Sequence, residues 1–279
     1  MIYLLLAIIS SSLVSIFMRL NEKHISNQMG MFMSNYIICM LLSYIFMNKQ
    51  LHYSINQSTI TMIVLGIMSG ILYLTSFVLL KINMKYNGMV LSSTFMKLGV
   101  LIPTLMAIAF FHEIPTFFQI FGILLAVLAI IIIHFDKDAL SQGSRKILLL
   151  ILLVMNGLTD AMANIFEQLG NMNDKDGYLL ITFFIAFLLA TLLACKNQTK
   201  ITKKDVLSGI MIGLPNYFSS RFLLLSLSSL NAVIVYPVFS IATVIVITMT
   251  GVFFFHETLN KKKIYALLLI IISLCLLNI

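Results

Sequence analysis

Polar positions along this chain come in short bursts between long apolar runs, and no period-two alternation holds inside the runs. Ten runs stand out, over roughly 2–20, 29–48, 59–81, 89–111, 116–134, 146–168, 178–195, 204–226, 231–255 and 261–279. A stretch of about 18 or more largely apolar residues reads as a membrane-crossing helix, whereas a transmembrane strand alternates and needs only about ten residues. The pattern predicts an all-α polytopic membrane protein with ten transmembrane helices. The first run has neither a basic segment before it nor a small-residue cleavage site, so it reads as a helix and not a removable leader.

Composition agrees: 60% of residues are hydrophobic, only 10% are charged, and mean hydropathy is +1.04. Soluble domains are roughly half apolar, so a soluble fold is excluded. The net charge of +8 would suggest nucleic acid in a soluble protein. Here the basic residues lie between helices, where they act as topology signals or lipid-headgroup contacts. No nucleic-acid partner is expected. Loops after odd-numbered helices carry 14 of these residues and loops after even-numbered helices two, Lys49 and Lys175. The positive-inside rule would place the odd loops in the cytoplasm and both termini outside. Cys39, Cys195 and Cys275 show no paired spacing and read as small hydrophobes.

The chain also repeats itself. Phe110-Phe111-His112-Glu113 closes one apolar stretch and Phe254-Phe255-His256-Glu257 another, each after a proline-bearing segment (Pro103, Pro237). Asn87 and Asn231 stand at the same distance before their Glu, and Gly66-Ile67-Met68-Ser69-Gly70 is answered by Gly209-Ile210-Met211-Ile212-Gly213. Five helices per copy is an odd number, so the second copy must enter the membrane inverted. The expected organisation is a first five-helix repeat over 1–134, a polar linker over 135–145 and a second five-helix repeat over 146–279. Inverted repeats of this kind frame a central site that opens to either side.

Ten helices in a five-plus-five duplication, with Phe-Phe-x-Glu closing the fourth and ninth, resemble the drug/metabolite transporter superfamily, and within it the EamA-like branch. The best-matching stretches are Leu91–Ile133 and Tyr236–Leu277. The resemblance implies a carrier of small metabolites such as amino acids, amines, nucleotide sugars or drugs. It also implies cytoplasmic termini, opposite to the charge rule. The chain departs from the family habit in having no Trp and no basic residue at its start.

Charges at bilayer depth cost about 2.5 kcal/mol or more each, so each is a functional hypothesis. Asn156, Asp160, Asn164 and Glu167 share one face of the sixth helix, and Ser11, Ser15 and Arg19 one face of the first. These faces read as a cavity lining or as polar glue between helices. Glu167 and Arg19 lie near helix ends, where snorkelling or capping explains them. Lys97, one turn after Ser93, is either an ion-pair partner of Asp160 or a cationic anchor for a solute. Pro215 precedes Tyr217 and Arg221, which share a face, and Tyr73 aligns with Tyr217. An Arg there can grip a carboxylate bidentately. Tyr236, Ser240 and Thr243 run down one face of the ninth helix beside Pro237. The candidate substrate-binding set is therefore Tyr73, Ser93, Lys97, Asn156, Asp160, Asn164, Tyr217, Arg221, Tyr236 and Ser240, with a central cavity expected among helices one, three, four, six, eight and nine. Glu113 and Glu257 read as caps at the start of the helix that follows each.

The expected function is a secondary transporter of a small polar solute, such as an amino acid or a related metabolite. It would work by alternating access in the cell membrane of a bacterium, with Asp160 as a possible proton carrier. A flippase-type carrier of a lipid-linked or amphipathic substrate is the alternative. No nucleotide-binding, metal-ligand or nucleophile motif is present, so neither cofactor nor enzymatic activity is expected. The chain is expected as a monomer or homodimer.

Overall fold

The computed structural model describes residues 1–22, 24–47, 57–102, 116–134, 146–196, 200–228, 232–257 and 261–276. Among them are ten α-helices, one 3-10 turn and no strand. The helices are α1 (Ile2–Leu20), α2 (Gln28–Phe46), α3 (Gln57–Asn87), α4 (Met89–Leu98), α5 (Phe117–His134), α6 (Lys146–Leu169), α7 (Lys175–Lys196), α8 (Lys203–Leu227), α9 (Ala232–Phe253) and α10 (Lys261–Leu276). By length and composition α1, α2, α3, α6, α7 and α8 can each cross a membrane. α3 runs for 31 residues. At 1.5 Å per residue that is about 46 Å, longer than a hydrocarbon core of about 30 Å, so α3 must tilt or project.

One expected helix is corrected. The run over 89–111 does not continue unbroken, because α4 ends at Leu98 and the backbone tightens there. The Gly99 amide bonds the Met96 carbonyl at 3.2 Å, Val100 bonds Lys97 at 3.4 Å and Ile102 bonds Gly99 at 2.9 Å. These are three-residue steps, the mark of an interrupted α-ladder. Pro103, His112 and Glu113 lie outside the described residues.

The chain forms two compact units, each drawing on both halves of the sequence. The first comprises Met1–Phe77 and Met162–Leu230, the second Val78–Ala161 and Asn231–Ile279.

In the first unit α2 packs on α7 and α8, and α1 on α8. The duplicated glycines make this possible by letting backbones approach. A Cβ on Gly209 would meet the Met31 carbonyl at 2.3 Å and one on Gly213 the Asn35 carbonyl at 2.7 Å, both on α2. Their counterparts on α3 face α7: a Cβ on Gly70 would meet the Thr182 carbonyl at 2.6 Å. Asp205 ties two helix starts together. It forms a capping box with Thr202 at the head of α8. Its carboxylate also accepts from the Ser26 and Asn27 amides, at 2.8 and 3.2 Å, at the head of α2.

In the second unit α5 packs on α10, and α4 on α9. Ser273 donates to the Gly122 carbonyl across the α5–α10 seam at 2.7 Å. Asn83 near the end of α3 donates to the Leu148 carbonyl of α6 at 2.9 Å.

Candidate functional site

The second unit gathers Ser93, Lys97, Asn156, Asp160 and Ser240 from the expected set. The approach of α4 to α6 sets the geometry. A Cβ on Gly157 would lie 2.5 Å from the Gly99 carbonyl, so only glycine lets these two backbones meet. The signal was in the sequence, since Gly157 and Ala161 form a small-xxx-small pair. The Asn156 side-chain amide lies beside this contact and donates twice. It bonds the Met96 carbonyl at 3.0 Å, where the α4 ladder breaks, and Asp160 Oδ2 at 3.0 Å. One neutral residue thereby spans the broken helix end and the intramembrane carboxylate.

Lys97 is the next residue along. Its ammonium lies 3.9 Å from the centre of the Phe239 ring on α9. A cation over an aromatic face is attracted by the ring quadrupole. Lys97 and Asp160 attract one another electrostatically, but they do not close to the 4.0 Å of a salt bridge. The structural ion pair that was one reading of Lys97 is therefore absent. Both side chains are half-buried, whereas Asn156, Ser93 and Ser240 are buried. Tyr236 belongs to α9, but its side chain lies outside those described.

The remaining candidates lie in the first unit, where Arg221 and Tyr73 have polar partners. Arg221 donates from Nε to Asp176 Oδ1 at 2.8 Å and from Nη2 to Oδ2 at 3.4 Å. Its guanidinium also stacks on Phe46, 4.4 Å from the ring centre. This bidentate grip is the one anticipated for a solute carboxylate, but the carboxylate is the protein's own. Sequence reasoning missed Asp176, which looked like an ordinary charge at the head of α7. The Tyr73 hydroxyl donates to Asn216 Oδ1 at 3.0 Å and lies 2.7 Å from Ser220 Oγ. Tyr217 is fully buried, with ring centroids 5.9 Å from Phe46 and 5.3 Å from Phe218. Asn164 follows Asp160 by one turn of α6, and its Oδ1 is buried with no hydrogen bond among the described residues. Arg19 pairs with Glu22 at the end of α1, in keeping with an end-of-helix role.

Glu257 caps a helix far from it in sequence. Its carboxylate accepts from the Met89 and Val90 amides, at 2.6 and 3.1 Å, at the head of α4. Among the described residues no group of three or more His, Cys, Asp or Glu side chains forms a metal-binding cluster.

Known proteins resemble this chain over most of its length. An uncharacterized protein of Haemophilus influenzae is 26% identical over 274 residues, covering 92% of this chain and 91% of its own. A solved structure, described only as the crystal structure of a protein, has a TM-score of 0.67 at 10% identity. It covers 99% of this chain and 95% of its own, which is a likeness of fold. The model of the EamA-like transporter family matches residues 1–135 and again residues 146–279. The chain is a multi-pass membrane protein and belongs to the EamA-like transporter family, within the drug/metabolite transporter superfamily.

Proposed function

We propose that this transporter is a secondary carrier of a small zwitterionic metabolite, an amino acid or a close relative, bound in the second unit between Lys97 and Asp160. The observation that carries the reading is the unclosed charge pair. Two opposite charges within apolar helices gain by meeting, because each pays a desolvation cost at depth. Here each is held by a neutral neighbour instead, Lys97 by Phe239 and Asp160 by Asn156. A solute carrying both an ammonium and a carboxylate satisfies the two at once. The interrupted end of α4 beside Lys97 supports the same reading, since transporter sites are commonly built where a helix breaks and its backbone groups become available.

Alternating access is the proposed mode of movement, with the two halves as inverted repeats. The packing of α2 on α7, α4 on α9 and α5 on α10 supports this, because these are the equivalent helices of the two copies. The bacterial cell membrane is the proposed location, in line with the origin of the Haemophilus relative.

The test is the thermal midpoint of the purified protein with neutral amino acids, with the matching amines and with the matching carboxylates. A ligand that binds the folded state raises the midpoint with saturation. The zwitterion should stabilise more than either half-molecule, and Lys97→Met and Asp160→Asn should each abolish the difference. Stabilisation by lipid-linked sugars alone would overturn this reading in favour of a flippase.

A further inference from the structure

The contact between Glu257 and α4 does more than finish a helix. The chain leaves α9 after Phe253 and turns back, with the Glu257 amide bonding the Gly251 carbonyl at 3.0 Å. This delivers the Glu257 carboxylate to two free amides at the head of α4, a charge-assisted arrangement at the positive end of a helix. The backbone on both sides is unusual. Gly88 has φ +84 and His256 has φ +50, and these are the positive-φ residues among those described. A Cβ on Gly88 would lie 3.1 Å from Glu257 Oε2. A non-glycine residue holds such a conformation where the surrounding contacts over-determine it.

The contact also fixes direction and register. The head of α4 meets the tail of α9, so the two helices run antiparallel. A Cβ on Gly251 would meet Val90 Cγ2 at 2.2 Å, so the helices touch closely at that end. Further along the same seam, Lys97 lies over Phe239.

We propose that Glu257 is a positioning residue that locks the register of α4 on α9 and thereby holds the Lys97 ammonium on the Phe239 ring. The inference rests on the reading of Lys97 as a solute anchor. Its test needs no solute, so failure of the lock and failure of that reading are separable.

The experiment uses full-length protein in which the exposed Cys195 and Cys275 are changed to Ser, leaving buried Cys39. Lys97→Cys serves as the reporter, and its reaction rate with a small charged methanethiosulfonate reagent is measured with and without Glu257→Ala. Cys39, which donates to the Gly213 carbonyl at 3.3 Å in the first unit, serves as the internal control. Loss of the lock should speed modification at position 97 by about tenfold while Cys39 stays unreactive, a change of about 1.4 kcal/mol in the opening equilibrium. Glu257→Gln, which keeps one acceptor oxygen, should fall between and gives the reading if the Ala variant does not fold. Unchanged reactivity at position 97, or equal acceleration at Cys39, would overturn the proposal.

Discussion

The ammonium of Lys97 rests 3.9 Å from the centre of the Phe239 ring, and the two residues come from equivalent helices of the two sequence copies. The ring holds the cation without neutralising it, and on the proposed reading that charge is the one a solute meets. Phe239→Leu keeps the volume roughly constant and removes the quadrupole, an interaction worth about 0.5–2 kcal/mol. Solute affinity should fall by about 2- to 30-fold on that scale. A titration of the ligand-induced thermal shift in the variant measures it.

Gly157 sits where α6 meets the backbone at the end of α4. An added methyl group would press on the Gly99 carbonyl at 2.5 Å and on Ile102 Cγ1 at 2.4 Å, which forces the helices apart. Gly157→Ala should lower stability by about 1–3 kcal/mol through overpacking. The site should suffer as well, because the Asn156 bond to the Met96 carbonyl depends on the same approach. Thermal denaturation followed by helix content reads the first effect and solute affinity the second.

Arg221 and Asp176 form an ion pair whose side chains are only 17% and 8% exposed. Removing one partner strands the other, and at partial exposure the expected loss is about 1–3 kcal/mol, below the cost of a fully buried pair. Arg221→Met and Asp176→Asn should each destabilise. The double variant should be better than the sum, with a coupling above about 0.5 kcal/mol. Strict additivity in the cycle would show that the pair contributes nothing jointly.

Asp205 serves two helices at once. Asp205→Ala removes acceptors from the Ser26, Asn27 and Thr202 amides. A lost cap costs about 0.5–2 kcal/mol, and this one serves two helix starts, so the loss should exceed that of a single cap. Asp205→Asn, which keeps one acceptor oxygen, should restore part of it. Comparing the midpoints of the two variants decides.

The helices were legible because a membrane helix must be apolar along its whole length. The break after Leu98 was not, since a hydropathy window sees apolar residues on either side of Gly99 and no cost in crossing it. The glycine repeats were legible as part of the duplication, and in the structure they admit close backbone approach. The partner helices were not readable, because packing partners are a property of topology. The same limit applies to the charges. Lys97 and Asp160 stood out because nothing near them in sequence explains a charge within an apolar run. Asp176 and Glu257 sit at run boundaries, where a charge looks ordinary, and their partners Arg221 and Met89 are 45 and 168 positions away. The candidate set thus mixed Arg221 and Tyr73, which the first unit engages internally, with Lys97 and Asp160, which form no salt bridge among the described residues.

The most direct test is counterflow in proteoliposomes, with a neutral amino acid inside and its labelled form outside. Exchange of the zwitterion should be rapid for the native chain and should fall by about tenfold or more, a loss of at least about 1.4 kcal/mol of binding, in both Lys97→Met and Asp160→Asn. Undiminished exchange in both variants, or exchange only of solutes carrying a single charge, would contradict the site.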